Sequence, residues 1–137
     1  MSTRPRLTYL DANVLISAAK GTEENSLKAL AIIDDPDREF VASQLLRLEV
    51  LPKATYYKWN RVADFYNEFF GRVKCWAEID DHLVDAACTE SGKTNLGAMD
   101  ALHIVSASSS GAMEFVTFED PRSPFGRTTL DILVVFP

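Results

Sequence analysis

The chain alternates short apolar runs with longer segments in which apolar residues recur every three or four positions. Short runs bounded by polar or turn-forming residues are typical of buried strands, and the longer spacing is typical of helices. The pattern predicts strands at residues 7–10, 40–42, 73–79, 115–118 and 132–136. It predicts helices at residues 14–20, 22–33, 43–52, 56–70, 81–92 and 96–109. Because the two alternate, we expect an α/β fold, a three-layer α/β/α sandwich around a central parallel sheet of about five strands.

Four acidic residues have largely apolar neighbours in the sequence. Asp11 and Glu119 each directly follow a predicted strand, whereas Glu49 and Asp100 lie on predicted helices. Acids in such surroundings are seldom exposed by chance, unlike the other acids of this chain that fall in predicted turns and helix caps. The carboxyl ends of parallel strands share one edge of a sheet, and α/β proteins bind ligands there. We therefore expect the four acids to face one another.

Carboxylates that face one another repel, and some of them would carry a proton at neutral pH. A hard divalent cation such as Mg²⁺ or Mn²⁺ removes this conflict, because it prefers oxygen ligands and binds through carboxylates together with substrate phosphates. Such a site can activate a water for attack on phosphorus and stabilise the leaving oxygen. The acids therefore predict metal-assisted hydrolysis of phosphodiester bonds. A simpler interpretation is that Asp11 or Asn13 only caps the following helix.

Length and composition narrow the classes of protein to consider. The chain has 137 residues, 47% of them hydrophobic, which suits a single domain over residues 1–137. The net charge of −6 argues against a broadly basic surface that coats nucleic acid, while a local basic patch stays compatible with it. Two cysteines are too few for a disulfide scaffold. No run of about 18 apolar residues predicts a membrane span, so we expect a cytoplasmic protein with no membrane association.

Four segments, in order, resemble the successive motifs of PIN-domain ribonucleases, and the likeness is closest to the small single-domain kind that includes VapC-type toxins. These segments are YLDANVL at residues 9–15, Ser43 with Glu49 six positions later, DALH at residues 100–103 with Ser106 and Ala107 behind it, and VTFE at residues 116–119. The resemblance covers residues 8–136, nearly the whole chain. One such motif is a weak signal, but four in order at suitable spacing are specific.

The resemblance implies an endoribonuclease that depends on Mg²⁺ or Mn²⁺, cleaves single-stranded RNA and leaves 5′-phosphate and 3′-hydroxyl products. It assigns metal binding and catalysis to Asp11, Glu49, Asp100 and Glu119. It gives supporting roles to Asn13, Ser43 and Thr117. Glu119 matches a variable fourth position where Asp is commoner, so the adjacent Asp120 stays open as the alternative acid. Small toxins of this family are often homodimers inhibited by a short antitoxin, which implies both kinds of partner.

Other functions stay open beside the nuclease. A non-catalytic PIN-like domain that binds RNA or a protein is the main rival, and the four filled acid positions disfavour it. A haloacid-dehalogenase-like phosphatase needs a second aspartate two residues after the first, where this chain has Asn13. A receiver domain needs a lysine after a late strand, and the sequence offers no suitable one. A DNA or flap substrate ranks lower, because no added module for gripping duplex is evident.

Three further groups of residues have two interpretations each. Aromatic residues at helical spacing favour core or dimer packing over stacking with RNA bases, although two exposed members would indicate an interface. They are Tyr56, Tyr57, Trp59, Phe65, Tyr66, Phe69 and Phe70. Contact with substrate phosphates and a solvated face are equally good interpretations of Arg47, Lys53, Lys58 and Arg61. His103, on a largely apolar helix, is interpreted as a hydrogen-bonded core residue in preference to a metal ligand.

Overall fold

Five parallel strands form the central sheet of the computed structural model, which describes residues 4–137. In chain order the strands are β1 (Arg6–Leu10), β2 (Arg38–Ala42), β3 (Cys75–Trp76), β4 (Glu114–Val116) and β5 (Leu133–Val135). Their order across the sheet is β3-β2-β1-β4-β5, and every neighbouring pair is parallel. In the central strand β1, Thr8 pairs with Phe40 of β2 on one side and with Glu114 of β4 on the other. The predicted parallel sheet is confirmed.

Helices connect the strands. In the described part of the chain they are α1 (Ala12–Lys20), α2 (Glu23–Ile33), α3 (Gln44–Tyr56), α4 (Asn60–Arg72), α5 (Asp81–Thr94) and α6 (Ala98–Ser109). A short 3₁₀ helix (Pro124–Arg127) lies in the loop between β4 and β5. None of the helices within residues 4–137 is both long enough and apolar enough to cross a membrane.

Two hydrophobic cores lie on opposite faces of the sheet. Leu10 and Val116 contribute to the core that contains residues of α1, α2, α3 and α4. Their chain neighbours Tyr9 and Phe115 contribute to the other core, with residues of α5 and α6. Successive residues of a strand point to opposite faces, so fully apolar strands are what a sheet covered on both sides requires. The predicted three-layer sandwich is therefore confirmed.

The prediction that the third helix ends at Pro52 is wrong, because α3 continues to Tyr56. Proline removes one backbone hydrogen bond, here the bond to the carbonyl four residues earlier, at Leu48. Both Leu48 and Pro52 are exposed, so this carbonyl lies where water can hydrate it. Val50 and Ala54, on either side of the proline, are both buried and hold the two halves of α3 against the core. Packing therefore outweighs the local effect of the proline.

Other boundaries also differ from the predictions. The helix predicted from residue 56 begins at Asn60, because Lys58 adopts a left-handed conformation with a φ of 57° between α3 and α4. The strand predicted at residues 73–79 is only Cys75–Trp76, at the edge of the sheet. The strand predicted at residues 115–118 ends at Val116, because the next residues bond to the segment that follows β1.

Candidate active site

The switch point of the sheet lies between β1 and β4, where the chain reverses the direction in which it adds strands. Asp11 follows the last residue of β1, and Thr117 follows the last residue of β4. The hydroxyl of Thr117 donates a hydrogen bond of 2.9 Å to Asp11 Oδ2, and the backbone N–H of Ala12 donates one of 2.8 Å to Oδ1. Asp11 is therefore both the cap of α1 and a buried acid at the ligand-binding edge.

Asn13 holds the loop after β4 in place beside Asp11. Its Nδ2 donates to Thr117 Oγ1 at 3.3 Å, and its Oδ1 accepts from the backbone N–H of Phe118 at 3.1 Å. The backbone N–H of Glu119 also donates to Thr117 Oγ1, at 3.1 Å. The family resemblance gives Asn13 a supporting role, and in the structure Asn13 is connected to Asp11 through the hydroxyl of Thr117. The hydroxyl of Thr117 is the common partner that joins Asp11, Asn13 and the loop that carries Glu119.

Electrostatic coupling indicates which acids lie near one another. Burial raises the pKa of Asp11 from its ordinary value of 3.8 to about 6, against the opposing hydrogen bond from Thr117, and the charge of Asp100 adds to the rise. Burial also raises the pKa of Asp100, and the charges of Glu119 and Glu49 add to it. The fold therefore brings all four predicted acids to one region, in which Asp100 interacts with each of the others.

Asp120, the alternative to Glu119, is oriented differently. Its carboxylate accepts hydrogen bonds from Arg122 Nε at 3.0 Å and Nη2 at 2.9 Å. These bonds lower the pKa of Asp120. Exposure does not distinguish the two acids, because Glu119 is exposed as well, and so is Glu49, contrary to the expectation for acids with apolar neighbours in the sequence. The charge that acts on Asp100 from this loop is that of Glu119. The geometry thus favours Glu119 over Asp120 as the acid that faces the site, although its role in metal binding stays a prediction.

The donor set fits a hard divalent cation by its chemistry, because the site offers carboxylate oxygens whose mutual repulsion a cation would relieve. In the arrangement found over residues 4–137, however, no three His, Cys, Asp or Glu side chains are close enough together to bind a metal ion. The acids share one region without forming a closed ligand shell. Their assignment as metal ligands therefore stays a prediction, and binding would require the side chains to move closer together.

Glu49, on α3, differs from the other three acids because its carboxylate is held by a buried histidine. His103 Nε2 lies 3.0 Å from Glu49 Oε1, and His103 Nδ1 lies 2.7 Å from the hydroxyl of Tyr9. That hydroxyl is also 2.7 Å from Ser43 Oγ, which caps α3 by accepting from the backbone N–H of Leu46. The interpretation of His103 as a hydrogen-bonded core residue is confirmed. The sequence analysis missed Tyr9, although a buried tyrosine usually has a hydrogen-bond partner.

A small groove lies beside Glu49. It has a volume of about 130 Å³, and its lining includes Lys20, Lys53 and Trp59. Lys20 Nζ lies 3.5 Å from the centre of the Trp59 ring, and the Tyr57 ring is stacked on Trp59 with 5.0 Å between ring centres. We call Lys20, Lys53, Tyr57 and Trp59 the basic-aromatic groove. It places cations next to an otherwise acidic site.

The aromatic residues of α3 and α4 divide into two sets. Tyr66, Phe69 and Phe70 are buried in a core, as the helical spacing predicts. Tyr56 is 78% exposed and Tyr57 54% exposed, and Trp59 is at the limit of exposure. Core packing is therefore correct only for the second half of the series. The exposed members meet the condition that the sequence analysis set for an interface.

The fold and the acids define an α/β/α domain with an acidic ligand-binding edge at its switch point. The family model described as PIN domain matches residues 8–124, so the chain belongs to the PIN-domain family. No curated protein sequence gives a significant match to the chain.

Solved structures with a similar fold include chains of three complexes. One, from Rickettsia felis, is a VapBC2 complex bound to a DNA fragment from its promoter, with 12% identity, a TM-score of 0.70, and coverage of 96% of this chain and 98% of that chain. A toxin–antitoxin complex from Klebsiella pneumoniae has 19% identity, a TM-score of 0.65 and coverage of 95% and 97%. A DNA-bound VapBC complex from Salmonella typhimurium has 18% identity, a TM-score of 0.65 and coverage of 96% and 98%. At these identities the likeness establishes the fold.

Proposed function

We propose that the protein is an endoribonuclease that requires Mg²⁺ or Mn²⁺ and hydrolyses phosphodiester bonds in single-stranded RNA. The observation that carries this proposal is the state of Asp11. Its carboxylate is buried at the ligand-binding edge, and its pKa is raised to about 6 by burial first and by the charge of Asp100 as well. A buried carboxylate that lacks a cation is costly, so a cation supplied from outside would satisfy it.

Asp11 and Asp100 would hold the metal ion, together with Glu49 and Glu119. A bound Mg²⁺ or Mn²⁺ ion would supply positive charge against the phosphate and would lower the pKa of a water molecule that it binds. The protein contributes a fixed position for Asp11 and for the backbone that carries Glu119. The bonds from Ala12 and Thr117 fix both oxygens of Asp11, and Thr117 also fixes the backbone of Glu119. Positioning of this kind reduces the reorganisation that remains when substrate binds.

The basic-aromatic groove supports a single-stranded nucleic acid as substrate. Lysines contact phosphates without reading sequence, and exposed aromatic rings stack with unpaired bases. Glu49 also lines the groove, so a phosphate group that Lys20 or Lys53 contacts there would lie beside this acid. A net charge of −6 otherwise disfavours association with a polyanion, which gives a local cationic site more weight.

We also propose that the protein is the toxin of a toxin–antitoxin pair, acts in the cytoplasm and binds a short antitoxin. The support is that two of the similar folds come from VapBC complexes and a third from a toxin–antitoxin complex. A homodimer stays a prediction of the family resemblance. The exposed aromatic residues around Tyr56 provide a surface that either partner could cover.

The test is cleavage of a panel of labelled single-stranded RNAs in Mg²⁺, in Mn²⁺ and in EDTA. Asp100→Asn should abolish cleavage, because Asp100 interacts with every other acid of the site. The matched control is Asp120→Asn, which removes an exposed acid bound to Arg122 and should cleave like the wild type. Cleavage that persists in EDTA, or in Asp100→Asn free of contaminating nuclease, would refute the proposal.

A non-catalytic binding domain is the second candidate. The observation that favours it is the open arrangement of the acids, in which no metal-binding group of three side chains forms within residues 4–137. A cation that binds only the folded protein must raise its melting temperature. Absence of both cleavage and a rise in melting temperature with Mn²⁺ would favour the binding domain.

A further inference from the structure

A buried chain of hydrogen bonds connects the start of α3 to the carboxylate of Glu49. Ser43 Oγ lies 2.7 Å from Tyr9 Oη, Tyr9 Oη lies 2.7 Å from His103 Nδ1, and His103 Nε2 lies 3.0 Å from Glu49 Oε1. Ser43, Tyr9 and His103 are all buried. Because water is excluded, the hydrogen-bond donors and acceptors of these side chains must be satisfied by other groups of the protein.

The donors and acceptors that each group offers determine the direction of every hydrogen bond between Ser43 and Glu49. An ionised carboxylate only accepts, so His103 Nε2 carries a proton and donates to Glu49. A neutral imidazole then accepts at Nδ1, which requires Tyr9 to donate to His103 and Ser43 to donate to Tyr9. Ser43 Oγ accepts in turn from the backbone N–H of Leu46, at 3.2 Å. In this arrangement every donor in the hydrogen-bonded series from Ser43 to Glu49 has an acceptor.

The opposite direction leaves a group unsatisfied. If His103 Nδ1 carried a proton, it would donate to Tyr9, and the hydroxyl of Tyr9 would turn towards Ser43 Oγ. Ser43 Oγ would then receive two donors and have no acceptor for its own proton. A buried hydroxyl without an acceptor is unfavourable, so the neutral tautomer with the proton on Nε2 is the stable one.

Glu49 is the acid that gains most from such a partner. Its side chain is 34% exposed, whereas the side chain of His103 is 1% exposed. A half-exposed glutamate has several rotamers to lose when it binds a ligand, and a rigid donor removes that freedom in advance. His103 lies one helical turn after Asp100 on α6, so this helix presents one acid directly and holds a second acid from α3.

We propose that His103 is a positioning residue, which donates from Nε2 to Glu49 Oε1 and leaves Oε2 free for the divalent cation. The inference rests on the proposed function, because it concerns the same acids. Outer partners of this kind change metal affinity by about 10- to 100-fold. His103 itself does not bind the cation, since both of its ring nitrogens are occupied.

The tautomer is tested first, by nitrogen-15 NMR of the metal-free protein. The chain contains two histidines, and the second, His82, is exposed and serves as an internal reference. The expected spectrum shows His103 protonated at Nε2 alone. Protonation at Nδ1, alone or together with Nε2, would overturn the proposed direction of the hydrogen bonds from Ser43 to Glu49.

The action on Glu49 is tested by Mn²⁺ titration of the full chain. His103→Leu should weaken Mn²⁺ binding by about 10-fold or more, and His103→Gln, which keeps a donor and an acceptor, should recover most of it. In a Glu49→Gln background, His103→Leu should have no further effect on affinity. An equal loss in both backgrounds would show general damage to the fold and would overturn the inference.

The design separates this inference from the proposed function. Failure of the wild type to bind Mn²⁺ would overturn the proposed function and the part of the inference that concerns the free Oε2 atom. The NMR result decides the bond between His103 and Glu49 independently of any metal.

Discussion

Two carboxylates at opposite ends of the central strands are almost equally buried and have opposite electrostatic states. Glu114 begins β4 and is 2% exposed, and Asp11 follows β1 and is 5% exposed. Glu114 accepts hydrogen bonds from Arg38 Nε at 2.6 Å and from Thr8 Oγ1 at 2.7 Å, with Arg6 Nε 4.0 Å away. Asp11 accepts only from a hydroxyl and a backbone N–H.

The pKa values of the two acids differ accordingly. Burial by itself raises the pKa of Glu114, but the bonds from Arg38 and Thr8 outweigh it and leave that pKa below its ordinary value. Burial raises the pKa of Asp11 to about 6, and the single hydroxyl bond from Thr117 does not compensate. Arginines bond to Glu114 at one end of the sheet, whereas at the other end the groups of the described residues that bond to Asp11 are a hydroxyl and a backbone N–H. The comparison identifies Glu114 as a structural acid, and it supports the proposal that Asp11 binds a cation.

The largest effect on stability is expected from Arg38→Met, which leaves Glu114 buried with Arg6 as its remaining cation. Removing one partner of a buried ion pair destabilises strongly, so we expect a loss of about 3 kcal/mol in the free energy of unfolding at neutral pH, measured in urea. The control is Lys74→Met, which breaks the exposed pair of Lys74 Nζ and Glu39 Oε2 at 2.7 Å. Equal losses in the two variants would contradict the structural role of Glu114.

When Asp11 is made neutral, we expect the free energy of unfolding to rise, whereas it falls in Arg38→Met. Its folded pKa of about 6 lies above the ordinary 3.8, so the folded state loses stability as pH rises from about 4 to about 6 and stays lower above that. At about 1.4 kcal/mol per pKa unit, Asp11→Asn should raise the free energy of unfolding by up to about 3 kcal/mol at pH 8 in EDTA, and by less than about 1 kcal/mol at pH 4. Asp120→Asn, the control at an acid whose pKa is lowered, should not gain stability. A gain that is the same at both pH values would contradict this explanation.

Much of the fold follows from local pattern. Strands buried on both faces read as apolar runs, which is why β1 and β4 were found from sequence. The predicted ends of helices and strands were wrong where contacts with residues distant in the sequence determine them. Pro52 lies within α3 because residues on either side of it are buried, and Val116 ends β4 because the following backbone bonds to Asn13, 105 residues away from Phe118.

The candidate site could also be predicted only in part from the sequence. Acids among apolar neighbours identify the four predicted positions, and the fold brings them to one region. Their partners could not be predicted, because Tyr9 bonds to Ser43 and His103 across separations of 34 and 94 residues. Periodicity places a residue on a face of its element, but it does not tell which distant side chain reaches it.

The effect on Mn²⁺ affinity should distinguish Glu119 from Asp120, and we expect it to be smaller than the effects on stability above. Glu119 acts on Asp100, whereas Asp120 is bound to Arg122. Glu119→Gln should therefore weaken Mn²⁺ binding by about 10-fold, and Asp120→Asn by less than about twofold, in a calorimetric titration at one ionic strength. The reverse order would move the fourth acid to Asp120 and remove Glu119 from the acidic end of the comparison.

The smallest effect concerns the cations that lie beside the acids. Lys53, in the groove next to Glu49, is placed to contact a substrate phosphate. Lys53→Met should weaken binding of single-stranded RNA evenly across sequences and reduce the slope of log affinity against log salt by about 1. The control is Lys28→Met, because Lys28 forms an exposed pair with Glu24 on α2 at 3.5 Å. An unchanged salt slope would mean that the acidic end of the sheet binds RNA without this cation, and the groove would then be the better candidate for a protein partner.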